Sequence, residues 1–259
     1  MSDTKPIYAQ TTENLNAVLT ADCLDGMRSM PDGIVDLVFA DLPYGVTQND
    51  WDRLVPIERL WASLRRVCKP ETVMVFTAIQ PFSALLVCSN IRGFRYEMVW
   101  KKNKPRGFLN ARKQPLRAHE SVLVFYDRQP VYRPQMTDGH EPVHAYTKHR
   151  PDGSNYGATK EGASGGGSTR RYPTSVLEIP VVNENDPERV HPTQKPEALP
   201  AWFIRTYTEP GDIVFDPTCG SGSTLLAAID LGRRFVGFES DAEMAARARA
   251  RVSERLKSR

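Results

Sequence analysis

Short, nearly continuous apolar runs recur along the 259-residue chain and alternate with helical stretches. The run at 34–40, Ile-Val-Asp-Leu-Val-Phe-Ala, predicts a buried strand because it lacks the polar alternation of a half-exposed one. Similar runs predict strands near 73–77, 96–100, 121–125, 213–216 and 234–239. Helices are predicted at 56–68, 80–90, 196–208 and 222–231, and in a last segment where Met244, Ala248, Val252 and Leu256 recur every four residues. This alternation is typical of a parallel sheet covered by helices, so we expect an α/β fold.

The segment from about 127 to 190 interrupts this alternation. Pro, Tyr and His residues are interspersed through it, and it contains the glycine- and serine-rich run 161–171. Such a composition favours loops, and a loop this long inside a compact domain is usually functional or disordered. We therefore expect one domain with an insertion at 127–190, flanked by halves at 1–126 and 191–259.

Basic residues are concentrated in the middle of the chain. Residues 92–135 hold 11 Lys and Arg against 3 Asp and Glu, whereas the whole chain carries a net charge of only +3. A basic stripe on a nearly neutral protein favours a polyanionic partner, and a merely solvated charged face is the alternative.

Cysteines and apolar runs limit the other classes. The four cysteines Cys23, Cys68, Cys88 and Cys219 form no pair at metal-ligand or redox spacing, so structural zinc and any other metal are not expected. Because no signal peptide and no stretch of about 18 apolar residues is present, we expect a cytosolic protein.

A glycine-containing turn, Asp216–Thr224, stands between a predicted strand and a predicted helix. Gly220 and Gly222 let the backbone approach a ligand, and Glu239, at the end of the next strand, can accept hydrogen bonds from ribose hydroxyls. Position 225 is Leu where a dinucleotide fingerprint requires Gly, which disfavours NAD and favours a single nucleoside cofactor. An ordinary tight strand-helix turn is the alternative.

A second candidate site, Asp41-Leu42-Pro43-Tyr44, follows the predicted strand at 34–40. A carboxylate can accept hydrogen bonds from an amino group, and a tyrosine ring can stack on a planar base. Proline keeps such a turn stiff. The segment taken alone could equally be a simple turn.

These two segments together resemble the motifs of the amino-group DNA methyltransferases that use S-adenosylmethionine. Residues 41–44 are similar to the catalytic Asp-Pro-Pro-Tyr motif, with Leu42 in place of the usual proline. Residues 216–224 are similar to the methionine-cradling motif Asp-Pro-Phe-Cys-Gly-Ser-Gly-Thr-Thr, with Thr at 218. Leucine also has a backbone carbonyl to offer the target amino group, so the resemblance implies that the chemistry is retained.

Further segments extend the resemblance over most of the chain. Residues 21–27 resemble the segment beside the cofactor adenine, 191–196 the motif near the methionine carboxylate, and His119-Glu120 with its following strand another family element. Since the catalytic motif precedes the cofactor motif, the order is that of the beta class. The resemblance implies a Rossmann-like, mostly parallel seven-stranded sheet with helices on both faces and an inserted target-recognition region.

The resemblance also implies the activity and the residues that carry it. We expect a site-specific enzyme that methylates the N6 amino group of an adenine flipped out of double-stranded DNA, working as a homodimer in a bacterium or phage-infected cell. The expected catalytic residues are Asp41, Leu42, Pro43 and Tyr44. The expected cofactor-binding residues are Asp22, Cys23, Asp41, His191, Thr193, Lys195, Asp216, Cys219, Gly220, Ser221, Gly222, Ser223, Thr224 and Glu239. The expected DNA-binding residues are Lys101, Lys102, Lys104, Arg106, Arg112, Lys113, Arg117, Arg133, Arg170 and Arg171.

Several alternatives remain open at this point. The N4 amino group of cytosine is the other target in the family, and Asp rather than Ser at position 41 favours adenine only by family tendency. Methylation of the cytosine ring carbon is disfavoured because no cysteine here follows a proline. An RNA or protein-amide methyltransferase and an inactive nucleic-acid-binding relative are the remaining alternatives.

Overall fold

The computed structural model describes residues 15–45, 53–147, 162 and 164–259. By its internal contacts the chain divides into a larger unit, formed by the residues up to Arg133 and from Ser175 onward, and a smaller unit, Pro134–Thr174. The smaller unit lies within the segment 127–190 that interrupts the strand-helix alternation of the sequence.

The secondary structure follows the predicted alternation closely. The strands are β1 (Ala17–Thr20), β2 (Val35–Ala40), β3 (Cys68–Ala78), β4 (Phe94–Arg106), β5 (Arg117–Phe125), β6 (Tyr146–Thr147), β7 (Ser164–Gly165), β8 (Val176–Glu178), β9 (Ile213–Asp216) and β10 (Arg234–Glu239). The helices are α1 (Cys23–Arg28), α2 (Ile57–Val67), α3 (Phe82–Ser89), α4 (Ala198–Tyr207), α5 (Ser223–Asp230) and α6 (Ala242–Lys257).

In the larger unit, the described strands form one sheet in the order β1-β10-β9-β2-β3-β5-β4-β8. Only β5 runs antiparallel to its neighbours, β3 and β4. The other pairs are parallel, so the expectation of a mostly parallel sheet is confirmed.

The sheet has one strand more than the seven expected. The additional strand β8 pairs with Val99–Lys101 at the edge of the sheet and comes from within the segment assigned to the insertion. It is three residues long with only Leu177 buried, which leaves too short an apolar pattern to recognise in the sequence.

Helices cover both faces of the sheet, as expected. On the central strand β2, Leu37 and Phe39 belong to the apolar cluster that contains residues of α4, α5 and α6. The alternate residues Val38 and Ala40 belong to the cluster that contains residues of α1, α2 and α3. Because all four side chains are within 1% of complete burial, the strand is apolar on both faces, which explains its continuous apolar run.

The described part of the smaller unit contains short strand pairings and polar side-chain contacts. Strands β6 and β7 pair antiparallel, and Thr137 forms an isolated antiparallel bridge with Arg171. Arg170 forms an ion pair with Asp138 at 2.9 Å, and Thr137 Oγ1 lies 2.6 Å from His140 Nε2.

The parallel strands bring several chain segments to one edge of the sheet. Strand β2 lies between β9 and β3, and all three strands run in the same direction. In an open sheet of this kind, the crevice beyond the carboxyl ends of the central strands is where ligands bind. The candidate segments at 41–44 and 216–224 both begin at that edge.

Candidate active site

A cleft of about 900 Å³ opens at the carboxyl ends of the central strands. Asp41 follows β2, Asp216 ends β9 and Glu239 ends β10, and all three line the cleft. Cleft residues also come from the loop before α4, which contributes His191, Thr193 and Lys195. The larger unit therefore brings the two candidate segments and the 191–196 segment together.

The carboxylate of Asp41 is held by three donors. Its Oδ1 accepts hydrogen bonds from the Tyr44 hydroxyl at 2.6 Å and from Thr77 Oγ1 at 2.5 Å. Its Oδ2 accepts one from Lys195 Nζ at 2.5 Å. Burial alone would raise the pKa of Asp41, but the Lys195 ammonium and these hydrogen bonds lower it. Asp41 is therefore ionised and fixed in orientation at neutral pH.

Lys195 lies between two carboxylates. Besides Asp41, its Nζ approaches Glu120 Oε2 at 3.6 Å, and the other Glu120 oxygen accepts a hydrogen bond from Lys102. Burial alone would lower the pKa of Lys195, but Asp41 and Glu120 raise it. The side chains of Lys195, Glu120 and Lys102 are 13%, 11% and 7% exposed. Because positive and negative groups alternate, the free-energy cost of removing each charge from water is offset by its attraction to the opposite charge beside it.

We call this group, Asp41, Lys195, Glu120 and Lys102, the charged wall of the cleft. The sequence did not assign a role to Glu120, although the His119-Glu120 pair was noted, and it did not identify Thr77. Lys102, expected on an exposed DNA-binding stripe, instead lies inside the cleft, with its Nζ 4.7 Å from the centre of the Trp100 ring. Its pKa is lowered by burial, against the opposing effect of Glu120.

Tyr44 is fixed at both its hydroxyl and its ring. The hydroxyl contacts Asp41 and Thr77, and the ring stacks on Phe82 with centroids 5.5 Å apart. Burial, with the nearby Asp41 charge, raises the pKa of Tyr44 well above its usual value, so the phenol remains a hydrogen-bond donor. Its neighbours Leu42 and Pro43 also line the cleft.

Another part of the cleft lining is a glycine-containing turn beside the Glu239 carboxylate. Gly220 and Gly222 have φ of 50° and 82°, the left-handed region that favours glycine. The Gly220 amide donates to Glu239 Oε2 and the Asp241 amide donates to Glu239 Oε1, both at 2.9 Å. We call the segment Asp216–Thr224 together with Glu239 the glycine wall.

Asp216 is a carboxyl group of the glycine wall with a strongly raised pKa. Its side chain accepts a hydrogen bond from the Thr218 amide at 3.1 Å, but burial raises the pKa of Asp216 to about 7. The Thr218 hydroxyl donates to the Asp41 backbone carbonyl at 3.2 Å, which joins the two walls. The threonine at position 218 therefore makes a contact that phenylalanine could not make.

The remaining expected cofactor-binding residues occupy varied environments. Asp22 lines the cleft, but its carboxylate caps α1 by accepting the amides of Leu24 and Asp25. Burial raises the pKa of Cys23 to about 12 and that of Cys219 well above its usual value, so both remain thiols.

His191 is held in a local contact with Thr193. Its Nδ1 accepts a hydrogen bond from the Thr193 amide at 3.3 Å and lies 2.9 Å from Thr193 Oγ1. Burial lowers the pKa of His191, although Glu239 and Asp41 act in the opposite direction. Among the remaining expected residues, Cys219, Ser221, Ser223 and Thr224 line the cleft, whereas Gly222 faces Ala248 of α6.

The glycine wall fits a nucleoside cofactor. A Cβ on Gly220 would meet no atom within 4 Å, so the absence of a side chain leaves cleft space open beside the backbone. Glu239 offers carboxylate acceptors at the end of β10, and the neighbouring Asp216 adds a buried acid. Ribose hydroxyls and a cationic group are the ligands that such acceptors suit.

The expected DNA-binding residues other than Arg133 divide into three groups. Lys102, Arg106 and Arg117 line the cleft. Arg106 pairs with Glu184 at 3.1 Å, and Lys101 pairs with Glu178 at 2.9 Å. Arg170 and Arg171 belong to the smaller unit. The residues outside the cleft lining and exposed on the β4–β5 side are Lys101, Lys104, Arg112 and Lys113.

Arg133 is placed away from the cleft. Its guanidinium donates to the Thr208 carbonyl at 3.1 Å and pairs with Glu209, both of which precede β9. Those residues lie at the amino end of a strand whose carboxyl end forms the cleft. Arg133 therefore anchors the chain at the opposite edge of the sheet, and we leave it out of the proposed DNA contacts.

In the part of the chain that the structure describes, no group of three or more His, Cys, Asp or Glu side chains could hold a metal ion. None of the helices in that part is long and apolar enough to cross a membrane.

Comparisons with known proteins show the family of the chain. A sequence model of the family described as DNA methylase (N6_N4_Mtase) matches residues 35–249. The type II methyltransferase M.BglII of Bacillus subtilis is 29% identical over 89% of this chain and 67% of its own length. The DNA adenine methyltransferase YhdJ of Escherichia coli is 28% identical over 87% of this chain and 79% of its own.

Solved structures share the fold. The complex of M1.HpyAVI with S-adenosylmethionine has a TM-score of 0.61 and 23% identity, covering 90% of this chain and 98% of its own. The cytosine-N4-specific PvuII DNA methyltransferase has a TM-score of 0.63 and 17% identity, covering 93% of this chain and 91% of its own. The Rossmann-like methyltransferase fold expected from the sequence is therefore confirmed.

Proposed function

Because the chain belongs to the DNA methylase family and is an S-adenosylmethionine-dependent amino-methyltransferase of DNA, we propose that it methylates the N6 amino group of adenine in a specific duplex sequence. The observation that carries this proposal is the fixed, ionised carboxylate of Asp41 beside Tyr44 in the cleft. An amino group needs an acceptor for its hydrogens, and a planar base needs a ring to stack on.

Asp41 and the Leu42 carbonyl are the proposed acceptors for the two amino hydrogens. By accepting these hydrogens, they draw the nitrogen toward a tetrahedral geometry in which its lone pair is free to react. Thr77 and Lys195 keep the Asp41 carboxylate from rotating, because they bind different oxygens of it. Pro43 limits the backbone freedom of the same turn.

The glycine wall is the proposed cofactor site. Glu239 would accept the ribose hydroxyls, Gly220 would let the backbone approach, and His191 and Thr193 would lie near the methionine end. S-adenosylmethionine, when bound, supplies an electrophilic methyl group. Asp22, through α1, would position Cys23 beside the adenine ring of the cofactor.

The target base must leave the duplex to reach this cleft, because its amino group is inaccessible within the base stack. We propose that Lys101, Lys104, Arg106, Arg112, Lys113 and Arg117 contact DNA phosphates. Base reading is assigned to the 127–190 segment, with Arg170 and Arg171 as its basic candidates. Phosphate contacts position the duplex, and base contacts specify the sequence.

Adenine rather than cytosine is favoured by Asp41 and by one relative. The residue at position 41 is Asp, which the family resemblance associates with adenine, and YhdJ is named an adenine methyltransferase. The PvuII enzyme, which shares the fold, is named cytosine-N4-specific, so N4 of cytosine is the second candidate. We further propose a homodimer acting in the bacterial cytoplasm, on the family resemblance, and sedimentation of the purified protein tests its oligomeric state.

Single-molecule sequencing of genomic DNA tests the activity and the target base together. The DNA comes from a methylation-free bacterial host that expresses either this protein or its Asp41→Ala variant. We expect N6-methyladenine at one short motif with the wild type and none with the variant. N4-methylcytosine would overturn the adenine assignment. Unmodified DNA from a host whose purified protein binds S-adenosylmethionine would overturn the proposed substrate.

A further inference from the structure

The connection between β4 and β5 leaves the sheet at the cleft. Strand β5 is antiparallel to both β3 and β4, so β4 runs in the same direction as β3 and the central strands. Its carboxyl end therefore emerges at the edge where the cleft opens. Arg106, the last residue of β4, pairs with Arg117, the first of β5, and both line the cleft.

Two large apolar side chains stand exposed at the tip of this connection. Phe108 is 81% exposed and Leu109 is 98% exposed, the highest values among the large apolar residues described. An exposed pair of this kind does not stabilise the core, and contiguous exposed apolar groups mark interaction sites.

The tip has a defined backbone. Phe108–Asn110 form a turn of 3₁₀-helix, preceded by Gly107 with φ of 94°. The Ala111 amide donates to the Phe108 carbonyl at 3.0 Å, and the Lys113 amide donates to the Asn110 carbonyl at 2.8 Å. The two apolar side chains are thus presented on a structured turn, which reduces the entropy lost when they bind.

The charges around the tip identify the kind of partner. Residues 104–117 contain five cations and no acid, and these cations are Lys104, Arg106, Arg112, Lys113 and Arg117. A partner that fits must be anionic on its surface and apolar within reach of two protruding side chains. Duplex DNA has both properties, since its phosphates enclose stacked bases that apolar side chains can separate.

We propose that Phe108 and Leu109 form a wedge that enters the base stack next to the cleft and occupies the gap left by the displaced nucleotide. The inference rests on the proposed function, because it requires a duplex at the cleft. It assigns the flanking cations to the phosphates on either side of the insertion point. It also adds a role for two residues that carry no charge and no reactive group.

A binding experiment that needs no knowledge of the recognition sequence tests the wedge. Fluorescence anisotropy measures the affinity for two labelled duplexes of one sequence, one intact and one with a single abasic site that leaves a gap in the stack. We expect the wild-type protein, with S-adenosylhomocysteine present, to prefer the gapped duplex. The Phe108→Ala/Leu109→Ala variant should lose about tenfold of that preference, because base–aromatic stacking contributes on this scale.

Matched variants separate the wedge from other effects. Ile91→Ala removes an apolar side chain that is 63% exposed just before β4, at the other end of the same strand, and should keep the wild-type preference. Arg112→Gln/Lys113→Gln should weaken binding to both duplexes equally and reduce its salt dependence. Since the wedge residues are exposed, the thermal unfolding of their variant should match that of the wild type.

The outcomes distinguish this inference from the proposed function. Equal gap preference in the wild type and the wedge variant would overturn the wedge, even if the protein methylates adenine in cells. A lost preference in the variant would support the wedge, even if no methylation is found. Two other outcomes would assign the tip to a different partner. In the first, the wild type is a dimer and the wedge variant is a monomer. In the second, the wild type binds anionic lipid vesicles, the variant does not, and neither protein prefers the gapped duplex.

Discussion

The two walls of the cleft are built in different ways. In the glycine wall, backbone amides of Gly220 and Asp241 meet a carboxylate only 19 and 2 residues away in the chain. In the charged wall, side chains meet from distant segments, and Lys195 reaches Asp41 across 154 residues. The first wall depends on local backbone geometry, and the second depends on a balance of buried charges.

This difference predicts a division of labour. The glycine wall offers backbone amides and the Glu239 carboxylate as partners for a ligand, so it should determine cofactor affinity. A wall of alternating buried charges fixes one carboxylate in a defined state, so the charged wall should determine the rate of the reaction. Substitutions in each wall should therefore change different measured constants.

The largest effect is expected for Asp41→Asn. The amide presents a donor where one of the target hydrogens needs an acceptor, and it leaves Lys195 without its closest anion. We expect kcat to fall by about 10²–10³-fold, the cost of losing one aimed polar group, with cofactor affinity changed less than about threefold. Single-turnover methylation assays and calorimetry measure the two quantities. Asp25→Asn, at an exposed position of α1, is the control. If Asp41→Asn weakens cofactor binding and leaves kcat unchanged, the proposed distinction between the walls is contradicted.

Glu239→Gln should give the reverse pattern. The amide keeps the size of the side chain but loses the charge that strengthens its hydrogen bonds. We expect the Kd for S-adenosylmethionine to rise by about tenfold or more, with kcat at saturating cofactor nearly unchanged. Titration calorimetry and initial rates check this. If kcat falls as much as affinity, then Glu239 also positions the reacting groups.

Lys195→Met is expected to have an intermediate effect and to reveal the wall to which Lys195 belongs. Lys195 lowers the pKa of Asp41 below its usual value of 3.8. The stability and activity that depend on ionised Asp41 are therefore present above pH 3.8, and they are lost as the pH falls through the lowered pKa of the folded protein. Without Lys195, the acid limb of the kcat profile should move to higher pH and kcat should fall by about tenfold.

The conservative variant Lys195→Arg sharpens that test, because it retains the positive charge and should restore the acid limb. The sequence resemblance placed Lys195 near the methionine carboxylate instead. If Lys195→Met weakens cofactor binding and leaves the pH profile in place, that assignment is supported and the role in the charged wall is contradicted.

The smallest effect is expected for Asp216→Asn, measured on stability. The folded protein holds the Asp216 proton up to about pH 7, whereas an unfolded chain releases it near 3.8. The contribution of this group to stability is therefore complete below pH 3.8 and is lost as pH rises through 7. We expect the ligand-free variant to be more stable than the wild type at pH 8 by about 1–3 kcal/mol, and equal to it at pH 4. Urea denaturation at the two pH values measures this, and a difference independent of pH would contradict it.

The contrast between the walls also explains what the sequence could and could not predict. The residues of the glycine wall could be grouped from the sequence because they are consecutive, and only Glu239 lies outside the run. The strands at 213–216 and 234–239 were predicted with their observed limits because continuous burial gives a continuous apolar run.

The charged wall was only partly predictable. Thr77 looks like an ordinary strand residue, and the burial of Lys102 depends on Glu120, a neighbour brought by strand pairing. A basic residue within a basic stripe gives no sign that it points inward. Arg133 shows the same limit, because its partners Thr208 and Glu209 lie about 75 residues further along the chain.

The position of β2 has a consequence for how the chain is assembled. This strand is made early, but one of its neighbours is β9, paired at Leu37 with Val214 and at Val38 with Phe215. On a ribosome, β2 would wait for about 170 further residues before that edge is covered, and non-local pairing of this kind slows folding. The turn at its end, residues 41–44, therefore takes its final form only after synthesis has passed β9, well into the last third of the polypeptide.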